Sequence, residues 1–114
     1  MVFSEFEAYV KGLGHPIETV QVSGASFLIV KDVRIPEGGS HAGEACEVGL
    51  FRSMDIPWLP EAKIHVRPHL TPMGQRSTQA SPMGSEWQYL SRRFDKPPTP
   101  KTFYAHILTV LAEL

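Results

Sequence analysis

Apolar positions along the chain change period as the sequence proceeds, and each period names an element. Phe6, Tyr9, Val10 and Leu13 recur at helical spacing behind Ser4 and Glu7, which stand at capping-box separation. Gly12, Gly14 and Pro16 then stop the turn, so a helix of about two turns is predicted over Ser4 to Lys11. From Ile17 to Val22 the residues become β-branched, and Ser23-Gly24 makes a turn. Phe27-Leu28-Ile29-Val30 is an unbroken apolar run continuing to Ile35, the pattern of a strand buried on both faces. After a turn over Pro36 to Ser40, Glu44 to Arg52 alternates, with Cys46, Val48 and Leu50 on one face of a further strand. Lys63 to Val66 reads as one more strand. It is approached through Pro57 and Pro60 and left at Pro68, so it is expected at an edge or short.

Regular pattern then gives out. Thr71 to Ser85 reads as a long turn-rich loop, in which Thr71-Pro72-Met73-Gly74 and Ser81-Pro82-Met83-Gly84 are two similar turns. Behind it, Trp87-Gln88-Tyr89-Leu90-Ser91-Arg92-Arg93-Phe94 crowds aromatic rings, a hydroxyl and two guanidinium groups into a short irregular stretch. Thr99 is a helix N-cap with Pro100 in the first turn, and Phe103, Ile107, Val110, Leu111 and Leu114 form one stripe. Helix, strand meander, irregular segment and helix together predict an α+β fold, with the helices on an antiparallel sheet. At 114 residues this is one domain, 1–114.

Composition narrows the function classes. A hydrophobic content of 42% supports a core, and a net charge of −1 argues against nucleic acid or an anionic membrane as partner. No apolar run approaches spanning length, and Met1-Val2-Phe3-Ser4-Glu5 lacks the regions of a secretory signal. With a single cysteine, which excludes an internal disulfide, the expectation is a soluble cytoplasmic protein.

Candidate chemistry is sparse. Cys46 shares a strand face with Val48 and Leu50 and reads as a small buried hydrophobe. His65 and His69, on an extended segment, stand about 13 Å apart and do not share one metal ion. His15, His41 and His106 lie at no ligand spacing, so no metal or other cofactor is expected. Ser91 is a nucleophile only if something activates it, and Arg92 and Arg93 are the neighbours able to stabilise an oxyanion. On its local setting alone, Ser91 is a turn residue between surface arginines. Trp87, Tyr89 and Trp58 are either packing residues or a partner-binding surface, and for Trp87 packing is the simpler reading.

The order of elements resembles the ubiquitin-conjugating enzyme core. Ile56-Pro57-Trp58-Leu59-Pro60-Glu61-Ala62-Lys63-Ile64 is similar to that fold's Tyr-Pro-x-x-Pro-Pro approach to its fourth strand, and Thr99-Pro100 is similar to its Trp-Ser-Pro. A closer resemblance is to the prokaryotic ubiquitin-conjugating-enzyme-like family E. It is carried by Arg34-Ile35-Pro36-Glu37-Gly38 against Leu-Pro-x-Gly, by Ile56-Pro57 with Pro60-Glu61, and by Trp87-Gln88-Tyr89-Leu90-Ser91-Arg92-Arg93 against Trp-Gln-x-x-Ser-Arg-His. It covers roughly residues 15 to 114. The resemblance implies a UBC-like meander sheet, with a ubiquitin-like protein and its activating-type enzyme as partners. Two departures matter. Gln79-Ala80-Ser81-Pro82-Met83 replaces the His-Pro-Asn step, and Leu90-Ser91 falls where the catalytic cysteine belongs. The resemblance therefore implies either an oxyester carrier using Ser91, with Arg92 or Arg93 at the oxyanion, or a catalytically inactive adaptor.

Overall fold

The computed structural model describes residues 1–52, 62–97 and 99–114. Trp58 and the Ile56-Pro57 and Pro60-Glu61 steps lie outside the described residues. The architecture is α+β: helix α1 (Phe3–Gly12), strands β1 (Ile17–Val22), β2 (Ala25–Arg34), β3 (Ala45–Arg52), β4 (Ala62–Arg67), β5 (Thr78–Ala80) and β6 (Gln88–Arg92), then helix α2 (Pro100–Ala112). The strands form one antiparallel sheet in the order β1-β2-β3-β4-β6-β5.

Both helices cover the same face. Leu28, Val30, Val48, Leu50, Ile64, Val66 and Leu90 point into a core closed by Phe3, Phe6 and Val10 of α1 and by the α2 stripe. Phe103 anchors that layer, edge-on to Phe6 at 5.1 Å and to Phe94 at 5.4 Å. In β2 all of Phe27 to Val30 is buried, as the unbroken apolar run requires. A bulge between Val30 and Val33, with Asp32 at φ 54°, then shifts the alternation so that Val33 also turns into the core.

Three expectations are corrected. The Ser4–Glu7 capping box does not form. Burial of Phe3 starts the helix earlier, at an N-cap Val2 without a side-chain bond, and Glu7 pairs instead with Arg52 at 3.3 Å. The strand at Lys63 to Val66 is short but interior, between β3 and β6, because Pro68 falls just past its end. The irregular segment holds two strands. After β4 the chain runs out to the edge as β5 and returns as β6 into the gap between β4 and β5. At the other end, Thr99 caps α2 as expected, in a box closed by Thr102.

Candidate functional site

Alternation along β6 divides its residues between two environments. Gln88 and Leu90 face the helix side and are fully buried, whereas Tyr89 is half-buried and Ser91 exposed on the opposite, open face. Gln88 fastens the preceding loop. Its Oε1 accepts from Leu70 N–H at 2.8 Å and Thr71 N–H at 3.4 Å, and its Nε2 donates to Thr71 O. The sequence reading gave this residue no role. Its signal was weak: one amide in a stretch dominated by rings and charges.

Among the described residues no helix lies on the open face. Instead the 81–84 turn folds back over it. Met83 and Trp87 cover Gly49 of β3 so closely that a Cβ there would collide with Met83 Sδ. Trp87 is 4% exposed, and Arg67 lies over its ring at 4.6 Å while bonding Glu47 at 2.8 Å and Glu86 at 3.3 Å. Packing is therefore the role visible for Trp87.

Beside this lid the open face forms a groove of about 590 Å³, lined by Phe27, Phe51, Lys63, His65, Pro82 and Tyr89 among others. Its floor is a run of rings: Phe51 edge-on to Phe27 at 5.7 Å, Phe27 edge-on to His65 at 5.5 Å, and His65 tilted against Tyr89 at 5.1 Å. Phe51 is 44% exposed, whereas His65 is only 5% exposed. Burial holds His65 down to about 4, so the ring is neutral at pH 7. Its Nδ1 lies 2.8 Å from Ser81 Oγ, which also accepts from Met83 N–H at 3.1 Å. Which of the two donates follows the ring's tautomer, since the hydroxyl has one proton to give and a second lone pair to accept with. The pair is poorly suited to nucleophilic catalysis, because a ring titrating near 4 is a weak base at neutral pH.

The remaining candidates fall as follows. Ser91 projects from the open face about 7 Å beyond Tyr89 along the strand, paired across the ladder with Lys63. Its hydroxyl makes no hydrogen bond among the described residues, and its N–H donates to Ser77 O at 3.3 Å. Arg92 lies on the helix side, 3.5 Å from Glu113 Oε2, with its Nη1 donating to the Ser91 carbonyl at 2.9 Å. Arg93 is exposed just past the strand. The fold thus gathers Trp87, Tyr89 and Ser91 on one face and turns Arg92 away from the Ser91 hydroxyl. Cys46 is buried beneath the sheet, its thiol pushed up to about 12 by burial and by the Glu47 carboxylate. His15 ties Lys31 O to the Tyr104 hydroxyl, each at 2.8 Å, and His41 bonds Leu70 O at 2.6 Å. No cluster of three or more metal-binding side chains occurs among the described residues, and no described helix is long and apolar enough to cross a membrane. No family model, no curated protein and no solved structure matches the chain.

Proposed function

We propose that the protein is a catalytically inactive, conjugating-enzyme-like module that binds a ubiquitin-like protein or its activating-type enzyme through the open-face end of β6. The link to that chemistry is the resemblance in Trp87 to Arg93 and in Thr99-Pro100. The observation that favours binding over transfer is the setting of Ser91. Its hydroxyl has no hydrogen-bonded base among the described residues, and the Arg92 guanidinium is engaged by Glu113 and a backbone carbonyl. An unactivated serine is a poor acyl acceptor. Tyr89 and Arg93, half-buried and exposed beside it, supply the residue types enriched at binding hot spots. The second reading, an oxyester carrier, draws on one fact: Ser91 is exposed, so a carrier's C-terminus can reach it.

An intact-mass charging assay separates the two. This protein is mixed with ATP, a ubiquitin-like protein and that protein's activating-type enzyme, and calorimetry is run on the same components. The expected result is no adduct, with a complex that weakens about tenfold in Tyr89→Ala combined with Arg93→Glu. An adduct that survives thiol reductant, is cleaved by mild base and vanishes in Ser91→Ala overturns the inactive-module reading in favour of the carrier. Neither adduct nor complex removes both.

A further inference from the structure

The two ends of the sheet are finished differently. At the β5 end the chain closes its own edge. The bond from Ser91 N–H to Ser77 O sets the phase of that ladder and turns the N–H and C=O of Thr78 outward, away from β6. Both are answered by the preceding turn: Thr78 N–H donates to Gln75 O at 2.9 Å, and Thr78 O accepts from Gly74 N–H at 3.1 Å. β1, at the other end, is twice as long and has no such cover. Lys31 N–H donates to Pro16 O at 2.9 Å, so in the Ile17↔Val30 register the N–H and C=O of Ile17, Thr19 and Gln21 point away from β2. No backbone group among the described residues meets them, and Thr19 and Gln21 are exposed. The devices that normally blunt an edge are missing as well. Ile17–Val22 has no proline, no lysine and no bulge, and Ile17, Thr19, Val20 and Val22 are β-branched.

We propose that β1 is a dimerisation edge, to which a second copy of this chain adds its own β1 antiparallel about a two-fold axis at Thr19. The edge is complementary to itself in that register. Thr19 meets Thr19 of the second copy and Ile17 meets Gln21, so every outward-facing residue of the strand finds another outward-facing one. Neighbouring registers do worse. An axis at Glu18 sets two carboxylates directly opposite each other, and an axis at Val20 sets Ile17 against Ser23, which is already in the turn at φ 49°. With the axis at Thr19, Glu18 stands opposite Val20 of the second copy and keeps its own Lys31 at 3.0 Å. The Arg52 guanidinium that reaches Thr19 Oγ1 is likewise paired within its chain, with Glu7 at 3.3 Å. The axis is normal to the joined sheet, so both open faces lie on one side with β5 at the two outer edges. β6 is far from this contact, and the dimer stands independently of any ubiquitin-like partner.

The test is sedimentation equilibrium of the full chain, alone and with a charge swap at the axis. Thr19 is exposed and its outward N–H takes no part in the β1–β2 ladder, so Thr19→Lys and Thr19→Glu should both fold, as a cooperative melt verifies. The native chain should dimerise reversibly. Each variant alone should self-associate about fivefold more weakly, because it opposes like charges across the axis. An equimolar mixture of the two should recover the dimer, since only a pairing of residue 19 with residue 19 sets Lys against Glu. Amide exchange at Thr19 and Gln21 should slow as the native chain associates. Four results overturn the proposal: a native chain that stays monomeric up to about millimolar concentration, a variant that dimerises as tightly as the native chain, a mixture no more associated than its components, or a dimer in which those two amides exchange freely.

Discussion

The two faces of one sheet carry the same chain under opposite rules. On the helix side, alternate residues of every interior strand are aliphatic, two helices close over them, and the one buried polar side chain from β6, Gln88, has its amide engaged by backbone. On the open face the corresponding positions are Phe27, Phe51, His65, Tyr89 and Ser91, covered only in part by the 81–84 turn. Gln88 is thus satisfied by backbone, while Thr78 Oγ1 and His106 Nε2 are buried on the same side without a hydrogen-bond partner among the described residues. The open face carries polar groups instead: a histidine bonded through Nδ1 to Ser81, and a serine whose exposed hydroxyl has no hydrogen bond among the described residues. The core lies on one face and the proposed recognition on the other, so substitutions should sort the same way.

The largest loss should come from the helix side. Phe103→Ala removes a ring at 1% exposure held between Phe6 and Phe94, and about 4 kcal/mol of unfolding free energy should go with it. Urea titration measures this, and a loss below about 1 kcal/mol would mean that the helix layer is not the stabilising one. Acid provides the matching experiment on the open face. His65 is held at about 4 in the folded protein against about 6.5 unfolded, so the unfolded chain binds its proton first. The contribution is complete above pH 6.5 and is lost as pH falls toward 4, reaching about 3 kcal/mol. In His65→Phe that part of the acid sensitivity should vanish, making the stability gap between the two proteins depend on pH across that window. A constant gap would remove His65 as the buried titrating group.

Gln88→Ala should rank next, at about 2–3 kcal/mol, since Leu70 N–H and the Thr71 carbonyl lose a buried partner. The result sharpens the comparison because Tyr89, one residue away, faces the groove, and Tyr89→Ala should cost less. Equal losses would show that β6 does not divide its labour by face.

How much of this was legible depended on whether a segment carries its own periodicity. The α2 stripe and its Thr99 cap were readable because the helix buries one continuous face. The β1–β3 meander was readable because hydrophobic alternation and a short Ser23-Gly24 turn are local signals. By contrast, β5 is three residues, Thr-Gln-Ala, and has too little sequence to show a period. β6 reads Gln-Tyr-Leu-Ser-Arg, with a buried amide where an aliphatic residue would mark a strand, so its pairing to β4 is visible only in three dimensions. For the same reason Ser91, Arg92 and Arg93 formed one cluster in sequence, whereas alternation places Ser91 and Arg92 on opposite faces. The groove was hidden more deeply still. Phe27, Phe51, His65 and Tyr89 come from four strands, and Ser81 comes from a turn with no pattern linking it to His65.

The smallest effect is the most discriminating. Ser91→Ala removes an exposed hydroxyl with no hydrogen bond among the described residues, so it should change stability by less than about 0.5 kcal/mol. That near-silence is what separates a function at this position from a structural one. A loss of partner binding in Ser91→Ala at unchanged melting temperature would place the hydroxyl itself in the interface. Unchanged binding, alongside a clear loss in Tyr89→Ala, would confine recognition to the aromatic part of the face. Should Ser91→Ala instead melt several degrees lower, the hydroxyl would have to be satisfying a group within the fold, and the division between a supporting face and a recognising face would fail at the residue where it is drawn most sharply.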